Sequence, residues 1–157
     1  MKKLLIILCL ILLFSCNSTK QVVEPSLMIA NPFVDFSSLK EAEKIAGFSI
    51  SIPKELNNKE LIYRVLNTDE KMIEIIHFSS NDKLTIRKSQ STEDISGVYK
   101  TFDVEKKIIV DNKEVLIKGE NDIFEVALWF DNNFSYSISS NIGLPLVELQ
   151  SFIKQIK

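Results

Sequence analysis

The stretch "DIFEVALWFDNNFSYSISS", residues 122–140, decides the fold class of this chain. Side chains alternate between the two faces of a β-strand, and both halves of the stretch follow that period of two. The residues between the halves, Asp131 to Asn133, tolerate left-handed backbone and are typical of a tight hairpin turn. We therefore predict a pair of antiparallel strands here.

The same hairpin supplies two candidates for a contact surface. One side of its first strand is fully apolar, and we expect it to face the core: Phe124, Val126, Leu128 and Phe130. Trp129 then lies on the other, open side, and the register of the second strand decides whether Tyr136 joins it there or enters the core. We interpret Trp129 and Tyr136 as a possible partner or ligand contact. Packing of Trp129 at the sheet edge, under a loop, is the alternative.

Further segments continue the strand pattern on both sides of this hairpin. They are residues 48–52, 61–66, 72–78, 83–89, 98–110 and 113–119. Short polar links separate most of them, and a polar loop follows residue 89. Short links between strands imply antiparallel neighbours, so we predict a meander of about seven or eight strands.

Two helices flank the predicted strands. Ser38 and Glu41 have the spacing of a capping box, and Gly47 is well placed as the stop of this first helix. A second helix follows Pro145, with an apolar stripe of Leu146, Leu149, Ile153 and Ile156. We predict an α+β fold in which the N-terminal and the C-terminal helix pack on one face of the antiparallel meander sheet.

The first residues have the pattern of an export signal. Two lysines precede an apolar run that is too short to span a bilayer as a helix. Leu13-Phe14-Ser15-Cys16 resembles the lipobox of bacterial lipoproteins, which implies a diacylglyceryl group on Cys16, cleavage before it and membrane anchoring. An uncleaved anchor, or a secretory signal with a chance cysteine, is the alternative. We predict a signal peptide over 1–15, a lipidated cysteine and tether over 16–31, and a single domain over 32–157.

Composition restricts the chemistry of the domain. Net charge is −2, and an acidic chain argues against nucleic acid as a partner. No cysteine follows Cys16, so neither a disulfide framework nor a thiolate metal site is expected. His77 is the only histidine, and its strand setting favours a structural role. We predict no metal, no cofactor and no catalytic residues.

Three quoted stretches carry a family resemblance. "NPFVDFSSLKEAEKIAGFSISIP", "EDISGVY" and "FSYSIS…GL" resemble a bacterial extracytoplasmic domain of unknown function. That domain occurs in lipoproteins and in membrane proteins that include anti-sigma-factor-like regulators. The resemblance covers residues 31–156. It implies an envelope location and a fold, and it carries no catalytic residues.

These observations predict a membrane-anchored envelope lipoprotein on the extracytoplasmic side, with a non-enzymatic domain that binds a ligand or an envelope protein. One alternative is a hydrolase that acts through carboxylates, for which Glu93 and Asp94 are the candidates. Another is a structural or assembly lipoprotein. A lysine-rich region is interpreted as a solvated strand face, with contact to anionic lipid headgroups as its alternative: Lys100, Lys106, Lys107, Lys113 and Lys118.

Overall fold

A computed structural model describes residues 31–157, and the strands of this part of the chain form one antiparallel sheet of eight members. The strands are β1 (Phe33–Phe36), β2 (Leu61–Leu66), β3 (Met72–Phe78), β4 (Lys83–Ser89), β5 (Val104–Val110), β6 (Lys113–Glu120), β7 (Ile123–Asp131) and β8 (Phe134–Pro145). Their order across the sheet is β1-β2-β3-β4-β8-β7-β6-β5. The predictions on the signal peptide, on Cys16 and on most of the tether lie outside the described residues.

The sheet consists of two meanders, one of β1 to β4 and one of β5 to β8. They join side by side through β4 and β8, whose register runs from Leu84 opposite Ser140 to Ser89 opposite Ser135. The chain must therefore cross from β4 to the far edge before β5 begins, and residues 90–103 make this crossing. The predicted α+β class and the antiparallel sheet are confirmed.

Tight turns close all three hairpins of the second meander. Their central residues have positive φ values between 47° and 66° without any glycine: Asp111, Asn112, Asn121, Asp122, Asn132 and Asn133. Positive φ at both central residues is the geometry of a type I′ turn, which matches the twist of the flanking strands. Aspartate and asparagine accept this backbone more readily than other residues with side chains. The turn predicted at Asp131 to Asn133 is confirmed, and the turns at Asp111-Asn112 and Asn121-Asp122 have the same geometry.

Two helices pack on one face of the sheet and share its core. Helix α1 (Leu39–Ala46) begins after Ser38, whose Oγ accepts from the Glu41 amide at 3.3 Å, and ends at Gly47 with φ of 83°. Helix α2 (Leu146–Gln155) follows Pro145 and buries Leu149, Phe152 and Ile153. Helix α1 contacts β1 to β3, and α2 contacts β5, β7 and β8. Within residues 31–157, no helix is both long and apolar enough to cross a membrane.

The prediction of a strand over residues 48–52 is wrong. This segment is extended, but its amides bond outside any ladder: Ile50 N donates to Glu43 Oε1 at 2.9 Å, and Ser51 N donates to the Lys157 carbonyl at 3.2 Å. The first strand instead lies before α1, at Phe33–Phe36. The predicted strand over 98–110 is also too long, because β5 begins only at Val104.

The predicted orientation of β7 is wrong for most of the strand. A bulge between Phe124 and Val126 shifts the pairing with β8. Because an extra residue in one strand reverses the alternation beyond it, Trp129 faces the helices and Phe130, which is 52 % exposed, faces away. Trp129 and Tyr136 are both buried in the helix-side core and do not lie on an open face.

Candidate functional site

A cavity of 650 Å³ opens on the helix side of the sheet, beside the tight turns that follow β5 and β7. Six parts of the chain contribute to it: the segment after α1, β4, the hairpin after β5, the hairpin after β7, β8, and α2 with the residues that follow it. Its lining residues are Ser49, Ser51, Lys88, Asp111, Lys113, Asp131, Asn132, Phe134, Tyr136, Lys154 and Lys157. Strands and a helix fix most of this wall, so the cavity belongs to the rigid part of the domain.

Lys88 is the buried charge of this cavity, with 7 % of its surface exposed. Its Nζ donates to the Ser49 carbonyl at 2.7 Å. The same ammonium lies 4.5 Å from the ring centroid of Phe134 and 5.1 Å from that of Tyr136, and Phe48 is 5.8 Å away. Aromatic faces attract cations, so the rings replace part of the water that the ammonium loses.

Burial lowers the pKa of Lys88 below its ordinary value of 10.5, because the charged form is desolvated. The carboxylates of Glu43 and Asp131 oppose this pKa shift without cancelling it. The cavity wall carries four lysines and two aspartates. One aspartate, Asp131, lies 3.6 Å from Lys113 and is partly neutralised by it. The electrostatic balance of the wall is therefore positive.

Tyr136 connects the cavity to the core. Its ring stacks on Trp129 with centroids 5.2 Å apart and planes at 3°. Burial, with a smaller effect from Asp131, raises the pKa of the Tyr136 hydroxyl. Tyr136 lines the cavity, so it stays a predicted ligand contact at a different place from the one expected. Trp129 supports it from the core, and Trp129 Nε1 has no hydrogen-bond partner among the described residues.

A second buried charge, Glu74, lies on the opposite face of the sheet. Its carboxylate accepts from Arg87 Nε at 2.7 Å and from Arg64 Nη1 at 3.1 Å. Arg87 Nη1 also donates to the Ile95 carbonyl at 2.8 Å, and Arg64 Nε donates to Asp35 at 2.9 Å. This cluster fixes the crossing segment to the sheet.

The two acids considered for hydrolysis lie in the crossing segment, and both are exposed. Asp94 Oδ1 accepts from the Ser96 amide at 2.8 Å and from the Ser96 hydroxyl at 2.6 Å. Its other oxygen lies 3.6 Å from Lys118 Nζ. Asp94 therefore has the contacts of a turn residue. His77 Nδ1 lies 3.1 Å from the Glu60 carbonyl, in the strand setting that was predicted.

The lysine-rich region has close partners for most of its members. Lys107 Nζ lies 2.7 Å from Glu114, and Lys100 pairs with Glu125. Lys106 Nζ lies 5.0 Å from the ring centroid of Phe124. The pairs of Lys113 and Lys118 are given above. Lys106 and Lys113 lie on the helix side of the sheet and Lys107 and Lys118 on the other side, so these lysines do not form a single charged face.

No motif in the sequence marks Lys88, although the pattern of its strand carries a signal. In "KLTIRKS", Leu84, Ile86 and Lys88 occupy alternate positions, so a lysine continues the apolar side of a strand. Lysine is almost never fully buried without a partner, which makes such a position informative. The distant partners, Ser49 and Phe134, are brought to it only by the fold.

Comparison of this chain with protein-family models, with curated proteins and with solved structures found no match. The resemblance to an extracytoplasmic domain of unknown function therefore stays a prediction.

Proposed function

We propose that this protein is a membrane-anchored envelope lipoprotein whose domain binds a small ligand without chemical conversion. The observation that carries the binding part is the cavity around Lys88. Its volume of 650 Å³ lies within the range of roughly 300–1,000 Å³ that is usual for small-molecule sites. The anchoring part rests on the lipobox resemblance at Cys16.

The composition of the wall supports binding. Ligand sites combine apolar and aromatic walls with a few polar groups that fix orientation. Here Phe134 and Tyr136 supply aromatic surface, and Ser49, Asn132 and Lys88 supply polar groups. The hydrolase hypothesis has less support, because Asp94 is engaged by Ser96 and Lys118.

Ligand binding is tested by screening a fragment library against the full chain in detergent micelles by NMR. We expect binding fragments to shift resonances of Ser49, Asn132 and Tyr136 and to leave those of Leu61, at the other end of the sheet, unchanged. Fragments that bind only elsewhere, or a screen without any binder, would contradict the proposal.

A matched pair of variants checks that the cavity is the site. Asn132→Trp fills the cavity from a type I′ turn at φ of 50°, and we expect it to block binding. Asn121→Trp places the same side chain on an equivalent turn at φ of 51°, away from the cavity lining, and has a closely similar backbone cost. Equal binding by both variants would locate the ligand outside the cavity.

The anchor has a separate test. Cys16→Ala should abolish labelling by a fatty-acid probe in cells, and Cys9→Ala should leave labelling unchanged. Labelling that persists in the Cys16→Ala protein would overturn the lipidation proposal and leave the binding proposal unaffected.

A further inference from the structure

Within residues 31–157, some charged side chains of the cavity have an oppositely charged neighbour, and others do not. Lys113 faces Asp131 at 3.6 Å, so each offsets the other. Lys154 and Lys157 are exposed at the rim, on and after α2. Lys88 lies at the buried side of the wall. Asp111 is an exposed acid of the same wall, so an incoming group meets two cations and one carboxylate at the surface before it meets the buried ammonium.

The described residues offer Lys88 one hydrogen-bond acceptor and the faces of aromatic rings. An ammonium has three N–H donors, and among the described residues one oxygen, the Ser49 carbonyl, lies within hydrogen-bond distance of Nζ. The rings of Phe134 and Tyr136 attract the charge and cannot act as anionic partners. A buried charge is stabilised by an opposite charge with hydrogen bonds to it, and a carboxylate or phosphate oxygen supplies both.

We propose that the cavity selects a small organic anion, in which a carboxylate or phosphate binds Lys88 and an attached apolar body packs on Phe134 and Tyr136. This inference rests on the proposed ligand-binding function and names the chemical class of its ligand. Lys154 and Lys157 attract the anion to the rim, and the ring faces hold its body. A neutral molecule of the same shape gains the aromatic contact and lacks the ionic one.

The test measures the binding of three probes of similar shape to the full chain in detergent micelles, by calorimetry and NMR. Benzoate carries a carboxylate, phenyl phosphate carries a phosphate, and benzamide is neutral. We expect one or both anions to bind at least about tenfold more tightly than benzamide, because a hydrogen bond between two charged groups is stronger than one to a neutral group. Whichever of benzoate and phenyl phosphate binds with the higher affinity then shows whether the site prefers a carboxylate or a phosphate.

Variants assign this preference to the cavity. Lys88→Met keeps an unbranched side chain, one atom shorter than lysine, and removes the ammonium, and it should reduce the preference for the anions to below about twofold. Lys154→Glu should weaken anion binding about two- to fivefold, as expected for an exposed pair, without disturbing the core. Lys40→Met changes an exposed lysine of α1 that does not line the cavity, and binding should not change.

The outcomes separate this inference from the function on which it rests. If benzamide binds the cavity as tightly as benzoate and phenyl phosphate, the anion preference is wrong and ligand binding stands. If Lys88→Met folds and keeps the full preference, Lys88 is not the anchor. If it does not fold, an unaltered affinity of Lys154→Glu overturns the proposal. If no probe and no library fragment shifts a cavity resonance, the proposed function itself fails.

Discussion

Glu74 and Lys88 are both buried charges on neighbouring strands, on opposite faces of one sheet. Glu74 is 2 % exposed and receives hydrogen bonds from Arg64 and Arg87. Lys88 is 7 % exposed, donates to one carbonyl and borders a cavity. The acid lies between two cations, whereas the lysine is surrounded mainly by aromatic rings. The two side chains are buried to a similar extent, but of the two only Glu74 has oppositely charged partners within hydrogen-bond distance among the described residues.

That difference separates a structural charge from one that is suited to binding. Removing one partner of a compensated buried pair leaves the other charge exposed to the low dielectric of the interior. A charge with few partners already has part of that cost in the native state, and an outside ion is able to relieve it. The same physical rule favours a stabilising role for Glu74 on the face that carries the crossing segment, the loop face, and it motivates the proposal of ligand binding on the helix face.

The largest expected effect is that of Glu74→Gln. Removing the carboxylate leaves Arg87 under the crossing segment without its anion, which should lower the free energy of unfolding by about 3–5 kcal/mol. Urea denaturation followed by circular dichroism measures this. Glu114→Gln breaks the exposed pair with Lys107 and should change stability by no more than about 0.5 kcal/mol. If both variants lost a similar free energy of unfolding, the buried Glu74 would be no more important for stability than an exposed acid.

A smaller loss is expected from Gly97→Ala, which disturbs the same cluster through the backbone. Gly97 has φ of 68°, and an added Cβ would collide with the guanidinium of Arg87. Gly47, at φ of 83°, has open space around its Cα. Left-handed backbone costs a residue with a side chain about 1–2 kcal/mol, so Gly47→Ala should lose that amount and Gly97→Ala more. Equal thermal denaturation midpoints would show that the guanidinium adapts freely.

Lys88→Met should change the free energy of unfolding by less than about 1 kcal/mol, because replacing a buried charge with an apolar side chain of similar volume is often neutral. Losing the hydrogen bond to the Ser49 carbonyl lowers stability, whereas removing a desolvated charge raises it, so the two effects oppose each other. Chemical denaturation of Lys88→Met and Glu74→Gln under the same conditions compares the free energies of unfolding that the two charges contribute. A loss as large as that of Glu74→Gln would make Lys88 a structural charge.

The smallest effect is a dependence on pH. The pKa of Lys88 is lowered in the folded protein, so between that pKa and 10.5 the unfolded chain binds more protons than the folded one. Stability relative to Lys88→Met should therefore rise with pH through this window. Glu43 and Asp131 are the acids that act on Lys88, and Tyr136 and Lys113 are the other titrating groups of the wall.

Affinity for an anion should change in the opposite direction. Deprotonation removes the charge that the anion needs, so benzoate binding should weaken as pH rises through the lowered pKa of Lys88. Calorimetric titrations at several pH values, with Lys88→Met as the reference, measure both slopes. If the affinity stayed constant through the alkaline range, the anion would not bind the Lys88 ammonium.

Much of the fold was accessible from the sequence because its signals are local. The hairpins follow from alternation and from Asp and Asn at the turns, and α1 follows from Ser38 and Gly47. The side on which Trp129 lies was not accessible, because the bulge after Phe124 depends on pairing with β8. The segment 48–52 alternates like a strand, yet its amides bond to Glu43 and to the end of the chain.

The site was less accessible than the fold. Tyr136 was selected for an expected aromatic patch, and it lies in the cavity wall beside a lysine that no motif marked. Sequence order separates Ser49, Lys88 and Phe134 widely, so their grouping is a property of the tertiary structure. Only the apolar alternation around Lys88 was visible beforehand.

The joint between β4 and β8 has a consequence for the rate of folding. Most neighbouring strands within a meander are joined by a few residues, whereas β4 and β8 are separated along the chain by the crossing segment and three further strands. Closing a long loop costs entropy before its contacts are gained, and distant pairings slow folding. We expect mutations at this joint, such as Ile138→Val, to slow refolding in stopped-flow experiments if the joint forms in the transition state. Each meander would then assemble early, and the meeting of two preformed halves would govern the rate.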